Sequence, residues 1–349
     1  MNEDAKTKAS LPLIAITMGD VAGVGPEVVA AAVTSDEVLN LCRPVVIGDP
    51  VLLDRAAKLI DKQLVIKIVQ DLSELQNCDS NAAIPCWNPT SAKTENVSIG
   101  KIDAEAGQAA YDWLIAATDA ALAGEIDGIV TAPLNKAALH LAGHHYPGHT
   151  EILAERCGVS DFAMMLYLPE REVVKGPHGL GVAHVTLHTS IASVPELLNS
   201  TSIQEKIHLV DSFLKRIGCA APRVGVCALN PHGGEGGLFG NEEAELIAPA
   251  VALAKLRDVQ ASGPFPADTL LQQAVSGKYD GIVAMYHDQG HIALKLIAFQ
   301  KAVNVTLGLP IVRTSPSHGT AFDIAWQNKV ESAGMISAIR IAVELSKTK

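Results

Sequence analysis

The chain has 349 residues, of which 48% are hydrophobic and only 4% aromatic, and it carries a net charge of −11 at pH 7. That length exceeds the usual reach of one hydrophobic core and predicts two lobes, with Ala, Val, Ile and Leu filling helices packed on a parallel sheet. The acidic balance argues against nucleic acid or an anionic membrane as partner, so an anionic ligand must be held by a few local cations.

Residues 1–10 are polar and mixed in charge, which reads as a tail with no apolar signal-peptide core, and no run is long enough to cross a bilayer. Six scattered Cys without a C-x-x-C pair read as buried thiols of a reducing compartment, and a cytoplasmic protein is expected. Short apolar runs then alternate with longer runs of helical period. Strands are predicted at 13–17, 45–48, 128–131, 162–168, 181–187, 223–229, 281–286 and 303–307, several apolar throughout, as in strands covered on both faces. Helices are predicted at 26–34, 104–122, 195–217, 241–256, 267–276 and 331–346. The stretch 77–101 reads as a loop or short hairpin.

Five predicted strands end in polar, Gly- or His-bearing loops: Met18-Gly19-Asp20, Ala132-Pro133-Leu134-Asn135-Lys136, His188, Asn230-Pro231-His232-Gly233-Gly234 and His287-Asp288-Gln289-Gly290. Ligands of α/β sheets gather outside the carboxyl ends of strands, so these loops are the expected site. His188, His232 and His287 lie at equivalent positions, and three imidazoles with open coordination positions suit Zn²⁺, Co²⁺ or a similar catalytic ion. His184 lies an even number of residues before His188 and is expected to support it. His140, His144 and His145 read as a solvated loop.

Lys136, Lys295 and Arg313 stand in apolar or Gly/Pro-rich surroundings rather than in charge-laced helices, which suggests an anionic, metal-chelating substrate. The segment from Gly19 to Glu27 is a tight Gly turn that opens a helix, but it is neither G-x-G-x-x-G nor a Walker loop. These features leave open a dehydrogenase, a metal-dependent hydrolase or aldolase of sugar phosphates, and a non-catalytic sugar-phosphate binder.

The motifs Ile16-Thr17-Met18-Gly19-Asp20, Thr131-Ala132-Pro133-Leu134-Asn135-Lys136, Pro147-Gly148-His149-Thr150-Glu151, Asn230-Pro231-His232 and Met285-Tyr286-His287-Asp288-Gln289-Gly290 resemble the 4-hydroxythreonine-4-phosphate dehydrogenase family over nearly the whole chain. The resemblance implies a two-lobed α/β/α subunit like isocitrate and isopropylmalate dehydrogenases, with the active site shared across a homodimer. It implies an NAD-binding lobe of residues 11–140 with 305–349, and a metal, substrate and dimerisation lobe of 141–304. The divalent metal (Zn, Co or Mg) would be held by His188, His232 and His287 with contributions from both subunits. Substrate would be bound at His149, Thr150, Lys295, Asn304 and Arg313.

The adenosine half of NAD would lie on the Gly19-Asp20 turn and on His318-Gly319-Thr320-Ala321-Phe322-Asp323. Asp323 would accept from a ribose hydroxyl and repel a 2′-phosphate, favouring NAD over NADP. Residues 139–144 and 321–326 look more like the branch acting on 4-phospho-D-threonate or 4-phospho-D-erythronate than the pyridoxal phosphate branch that takes 4-phosphooxy-L-threonine. Ile191 and Ala192 depart from the Leu-Arg usual after the metal His, and the segment 184–188 also resembles cis-dihydrodiol dehydrogenases. The implied chemistry is oxidation of a C3 hydroxyl followed by loss of CO₂, giving dihydroxyacetone phosphate. Asp268, Asp288 or Lys295 would accept the hydroxyl proton.

Overall fold

The computed structural model describes residues 11–77, 83–169, 174–298 and 301–348; the expected tail, Cys78 and part of the 77–101 stretch lie outside them. The chain divides into two compact units, one running to Ser160 and resuming at Leu309–Lys347, the other spanning Asp161–Gly308. The first division thus falls at 160/161 rather than 140/141, and the helix His149–Cys157 belongs with the first unit. The class is α/β, as expected.

In chain order the strands are β1 (Leu13–Thr17), β2 (Arg43–Ile47), β3 (Ile66–Val69), β4 (Ile84–Trp87), β5 (Gly128–Thr131), β6 (Ala163–Leu168), β7 (Leu180–His184), β8 (Arg223–Cys227), β9 (Gln260–Phe265), β10 (Gly281–Ala284), β11 (Val303–Leu307) and β12 (Arg313–Pro316). The first unit orders its strands β3-β4-β2-β1-β5-β12, and these pairs are parallel. The second orders its strands β11-β6-β7-β10-β8-β9. There β6 runs antiparallel to both β7 and β11, while β7, β10, β8 and β9 are parallel. Apolar strands are buried on both faces: Ile14 to Thr17, Gly128 to Thr131 and Gly281 to Ala284 are all buried.

Helix boundaries follow local chemistry. Asp103 caps the helix Ala104–Ala123 by accepting from the Glu105 amide, and Gly124 ends it in the left-handed region. Asn135 caps Lys136–Leu141 by accepting from the Ala138 amide at 3.0 Å. The expected helix 195–217 is two, Val194–Leu197 and Ser200–Arg216, because Asn199 caps the second through the Ser202 amide. The strand expected at 181–187 stops at His184, which leaves His188 four residues out in a loop.

The core of the second unit gathers Leu166, Leu168, Leu180, Val182, Ile282 and Leu294. Cys42, Cys86, Cys219 and Cys227 are buried as free thiols, and desolvation pushes Cys42 and Cys227 up to about 12. Among the described residues no helix is long and apolar enough to cross a membrane.

Candidate active site

In the second unit the His287-Asp288-Gln289-Gly290 motif is not a loop: it is the first turn of a helix, His287–Ala298. Side chains four apart share a helix face, so His287, His291 and Lys295 form one stripe. The rings of His188 and His287 lie 5.6 Å apart, centre to centre. Asp288 Oδ1 stands 2.7 Å from His287 Nδ1, which fixes the tautomer and leaves Nε2 free to donate to a cation. Gln289 ties the site to its neighbours, accepting from the Met285 amide and donating to the Ala228 carbonyl.

Two further imidazoles stand behind this pair. His291 Nδ1 lies 3.2 Å from Nε2 of His184, and the His291 ring stacks on His287 at 3.8 Å and 13°. Burial, with like charge from neighbouring imidazoles, pushes His184 down to about 3 and His291 to about 4, so both are neutral at pH 7. Sequence reasoning flagged His184 but missed His291. A cavity of about 430 Å³ opens here, lined by His188, His287, Asp288, Tyr286, Leu187 and the exposed Ile191.

His232 sits apart in character. It is exposed and opens a left-handed run, with φ of 54° at His232, 69° at Gly233, 79° at Gly234, 46° at Glu235 and 68° at Gly236. Glu243 pins the start of this loop by accepting from the Leu229 and Asn230 amides at 2.9 and 2.7 Å. Among the described residues no three His, Cys, Asp or Glu side chains surround a common point. The structure brings together two of the three expected imidazoles, and their donor chemistry fits a divalent cation that takes a further ligand from elsewhere.

Of the other candidates in this unit, Asn304 lies on β11 with Oδ1 buried and without a hydrogen-bond partner among the described residues. Lys295 is half-buried. Asp268 is exposed and accepts from the adjacent Thr269 amide.

The first unit gathers the anion-type residues. Arg313 is 2% exposed and donates through Nη2 to Thr131 Oγ1 at 2.7 Å. Burial lowers its guanidinium to about 10, with Glu151 pulling the other way, so it remains charged at neutral pH. His149 beside it is held well below its ordinary value by desolvation first and the Arg313 charge second, so it is neutral. Thr150 is buried on the same helix turn, and both the Glu151 carboxylate and the Lys136 stem come within 4 Å of the Cβ position at Gly148. His144 is not simply solvated: its ring stacks on Tyr111 at 3.6 Å, and Nε2 meets Gln108 Oε1 at 3.1 Å. A hollow of about 460 Å³ along Trp87, Tyr111, Asp112 and Asp119 is acidic and holds none of the candidate residues.

The Gly19-Asp20 turn and the loop from His318 to Asp323 also meet in this unit. Gly19 has φ +69°, and a Cβ there would stand 2.4 Å from the Pro133 carbonyl oxygen, so only glycine lets the turns after β1 and β5 touch. The Val24 amide donates to the Thr320 carbonyl at 3.0 Å. Asp20 Oδ1 accepts from the Ala22 amide, while Asp20 Oδ2 and His318 Nε2 are buried without partners among the described residues. Desolvation raises the Asp20 carboxyl to about 6. Ala321 adopts φ 43°, Gly319 is exposed, and Asp323 presents an exposed carboxylate. An unsatisfied carboxylate oxygen on the turn and a ring nitrogen on the loop beside it fit a nucleotide carrying hydroxyls and ring nitrogens.

The chain is similar to known proteins over most of its length. The family described as pyridoxal phosphate biosynthetic protein PdxA matches residues 40–342. A D-threonate 4-phosphate dehydrogenase of Salmonella typhimurium is 43% identical over 95% of this chain and 98% of its own. A 4-hydroxythreonine-4-phosphate dehydrogenase of Trichlorobacter lovleyi is 40% identical over 97% and 98%. The crystal structure of a 4-hydroxythreonine-4-phosphate dehydrogenase from Klebsiella pneumoniae superposes with a TM-score of 0.83 at 42% identity, covering 96% of this chain and 99% of that one. The chain belongs to the PdxA family and is an oxidoreductase, a dehydrogenase acting on a CH–OH group.

Proposed function

We propose that the chain oxidises a 4-phosphorylated 3-hydroxy acid with NAD⁺ and a divalent metal, with 4-phospho-D-threonate or 4-phospho-D-erythronate as substrate. The products would be dihydroxyacetone phosphate, CO₂ and NADH, formed by a cytoplasmic homodimer without nucleic-acid or membrane partners. The observation that carries this reading is the buried Arg313 beside a neutral His149 and the Thr131 hydroxyl. In a chain of net charge −11, a buried guanidinium beside a hydroxyl and a neutral imidazole suits a strong anion.

His188 and His287 would hold the metal, and the exposed His232 would reach it from the second copy of the chain. When bound, the metal supplies Lewis-acid polarisation of the substrate oxygens, and NAD⁺ supplies the hydride acceptor. Arg313, Lys136 and Thr150 would grip the anionic ends, and Asn304 would accept from a substrate hydroxyl through its buried Oδ1. Lys295 is the best-placed proton acceptor, because it shares the helix face of His287, whereas Asp288 is taken by His287 and Asp268 is exposed and accepts from the adjacent Thr269 amide. Asp323, exposed on its loop, favours NAD over NADP by charge.

The test is to supply NAD⁺ with Zn²⁺, Co²⁺ or Mg²⁺ and each of 4-phospho-D-threonate, 4-phospho-D-erythronate and 4-phosphooxy-L-threonine, and to follow NADH with and without EDTA. EDTA-sensitive NADH from either phospho-sugar acid supports the reading. Preference for 4-phosphooxy-L-threonine would move the enzyme to the pyridoxal phosphate branch, and full activity after chelation would remove the metal.

A further inference from the structure

Two imidazoles in the second unit play no part in the chemistry proposed above. His184 ends β7 at 1% exposure, and His291 lies one helical turn beyond His287 at 7%. Two leucines would fill that space without burying ring nitrogens, which cost free energy unless satisfied. The two rings instead meet, His291 Nδ1 against His184 Nε2 at 3.2 Å, which satisfies one nitrogen of each. His291 then lies flat on His287, centres 3.8 Å apart and planes within 13°. The backbone makes room for the pair: a Cβ on Gly290 would stand 2.5 Å from His184 Nε2 and 2.7 Å from Val182 Cγ1. A continuous line of contact thus runs from the sheet through His184 and His291 to His287.

We propose that His184 and His291 are positioning residues that set the tilt of the His287 ring, so that its Nε2 meets a divalent cation at the angle coordination needs. Asp288 selects the tautomer of that ring through Nδ1; the stacked His291, anchored to β7 by His184, selects its plane. The inference rests on the metal-binding reading of His188 and His287.

The experiment is a calorimetric titration of the full chain with Co²⁺, together with the visible spectrum of the Co²⁺ form and thermal unfolding of the metal-free protein. The variants are His184→Leu, His291→Leu, His184→Gln and Gly290→Ala. Both leucine variants should bind Co²⁺ about 10–100-fold more weakly and shift the visible bands, with the metal-free Tm unchanged or raised. Gly290→Ala keeps every imidazole but displaces His184, and should weaken Co²⁺ in the same way. His184→Gln places an amide where Nε2 was and should recover most of the affinity. Unchanged affinity and spectrum in both leucine variants would overturn the positioning role while leaving the metal reading intact, and so would a loss that only follows a fall in metal-free Tm. A wild-type chain that binds no Co²⁺ would overturn both readings.

Discussion

The Asn328 amide donates to Glu27 Oε1 at 2.9 Å across 301 residues of sequence, and the Trp326 amide donates to the other oxygen of the same carboxylate. Glu27 is fully buried in the helix that follows the Gly19-Asp20 turn. One side chain of the first helix therefore holds the late loop that carries His318, Thr320 and Asp323. That loop needs holding, since Ala321, Trp326 and Asn328 all have positive φ, a conformation that disfavours residues with a Cβ. Trp326 adds two more ties, donating from Nε1 to the Val21 carbonyl and lying under the Arg55 guanidinium at 4.5 Å.

Replacing Glu27 with Ala should strand two part-buried amide donors, at a cost of about 2 kcal/mol. Hydrogen exchange at the Trp326 and Asn328 amides should accelerate by about two orders of magnitude, and NAD⁺ should bind at least 10-fold more weakly. Co²⁺ affinity, proposed for the imidazoles of the second unit, should not change. Unaltered exchange at those two amides would show that the loop is held by something else.

Asp20 gives the chain a pH dependence of defined sign. Its carboxyl is raised to about 6 by burial, so between about pH 4 and 6 the folded chain binds more protons than the unfolded one. Stability from this group is therefore greatest at the acid end of that window and falls as pH rises through it. A carboxyl held near 6 instead of 3.8 corresponds to roughly 3 kcal/mol of cost at neutral pH. Asp20→Asn keeps the acceptor for the Ala22 amide and should raise Tm at pH 7.5 but not at pH 4. A Tm gain that is equal at both pH values would show that the charge is not what costs.

The sequence carried some of this more clearly than the rest, for physical reasons. β1 reads as a buried strand because Leu-Ile-Ala-Ile-Thr is apolar throughout; β12 has the composition Arg-Thr-Ser-Pro and yet is buried at every residue, so hydropathy could not find it. The helix His287–Ala298 opens with His, Asp, Gln and Gly, which read as a loop, and with that reading the i, i+4 relation of His287 to His291 disappears. His188 and His287 were legible because each follows an apolar run. Arg313 was legible because a lone cation among apolar residues is the sequence trace of a buried one. Thr131 and Glu151 were not singled out, because a hydroxyl and a carboxylate at helix or strand ends have ordinary capping uses. The left-handed run from His232 was signalled only by its glycines.

His232 itself should trade stability for function. A residue with a Cβ at φ 54° costs about 1–2 kcal/mol relative to glycine. His232→Gly should therefore be more stable than His232→Ala by about 1 kcal/mol in the absence of metal, because alanine keeps the strain. Both should lose chelator-sensitive NADH formation to the same degree. Equal stability of the two variants in chemical denaturation would mean that the strain is relaxed in solution, and undiminished turnover would remove His232 from the site.

Arg313 poses the same trade in electrostatic form. Taking a guanidinium to 2% exposure is costly, and replacing a buried charge with a well-packed apolar side chain is often neutral or stabilising. Arg313→Met should thus leave Tm unchanged or raise it, while kcat/KM for the phosphorylated substrate falls at least 100-fold. Arg313→Lys keeps the charge but loses the fork that reaches Thr131 Oγ1, so it should restore only part of the activity. The falling kcat/KM should appear mainly as a raised KM if Arg313 grips a group remote from the reacting carbon. A drop in kcat at constant KM would instead place the guanidinium against the charge that develops during oxidation. A large loss of Tm in Arg313→Met would make the residue a structural one, satisfied by the protein alone, and would withdraw the anion site built around it.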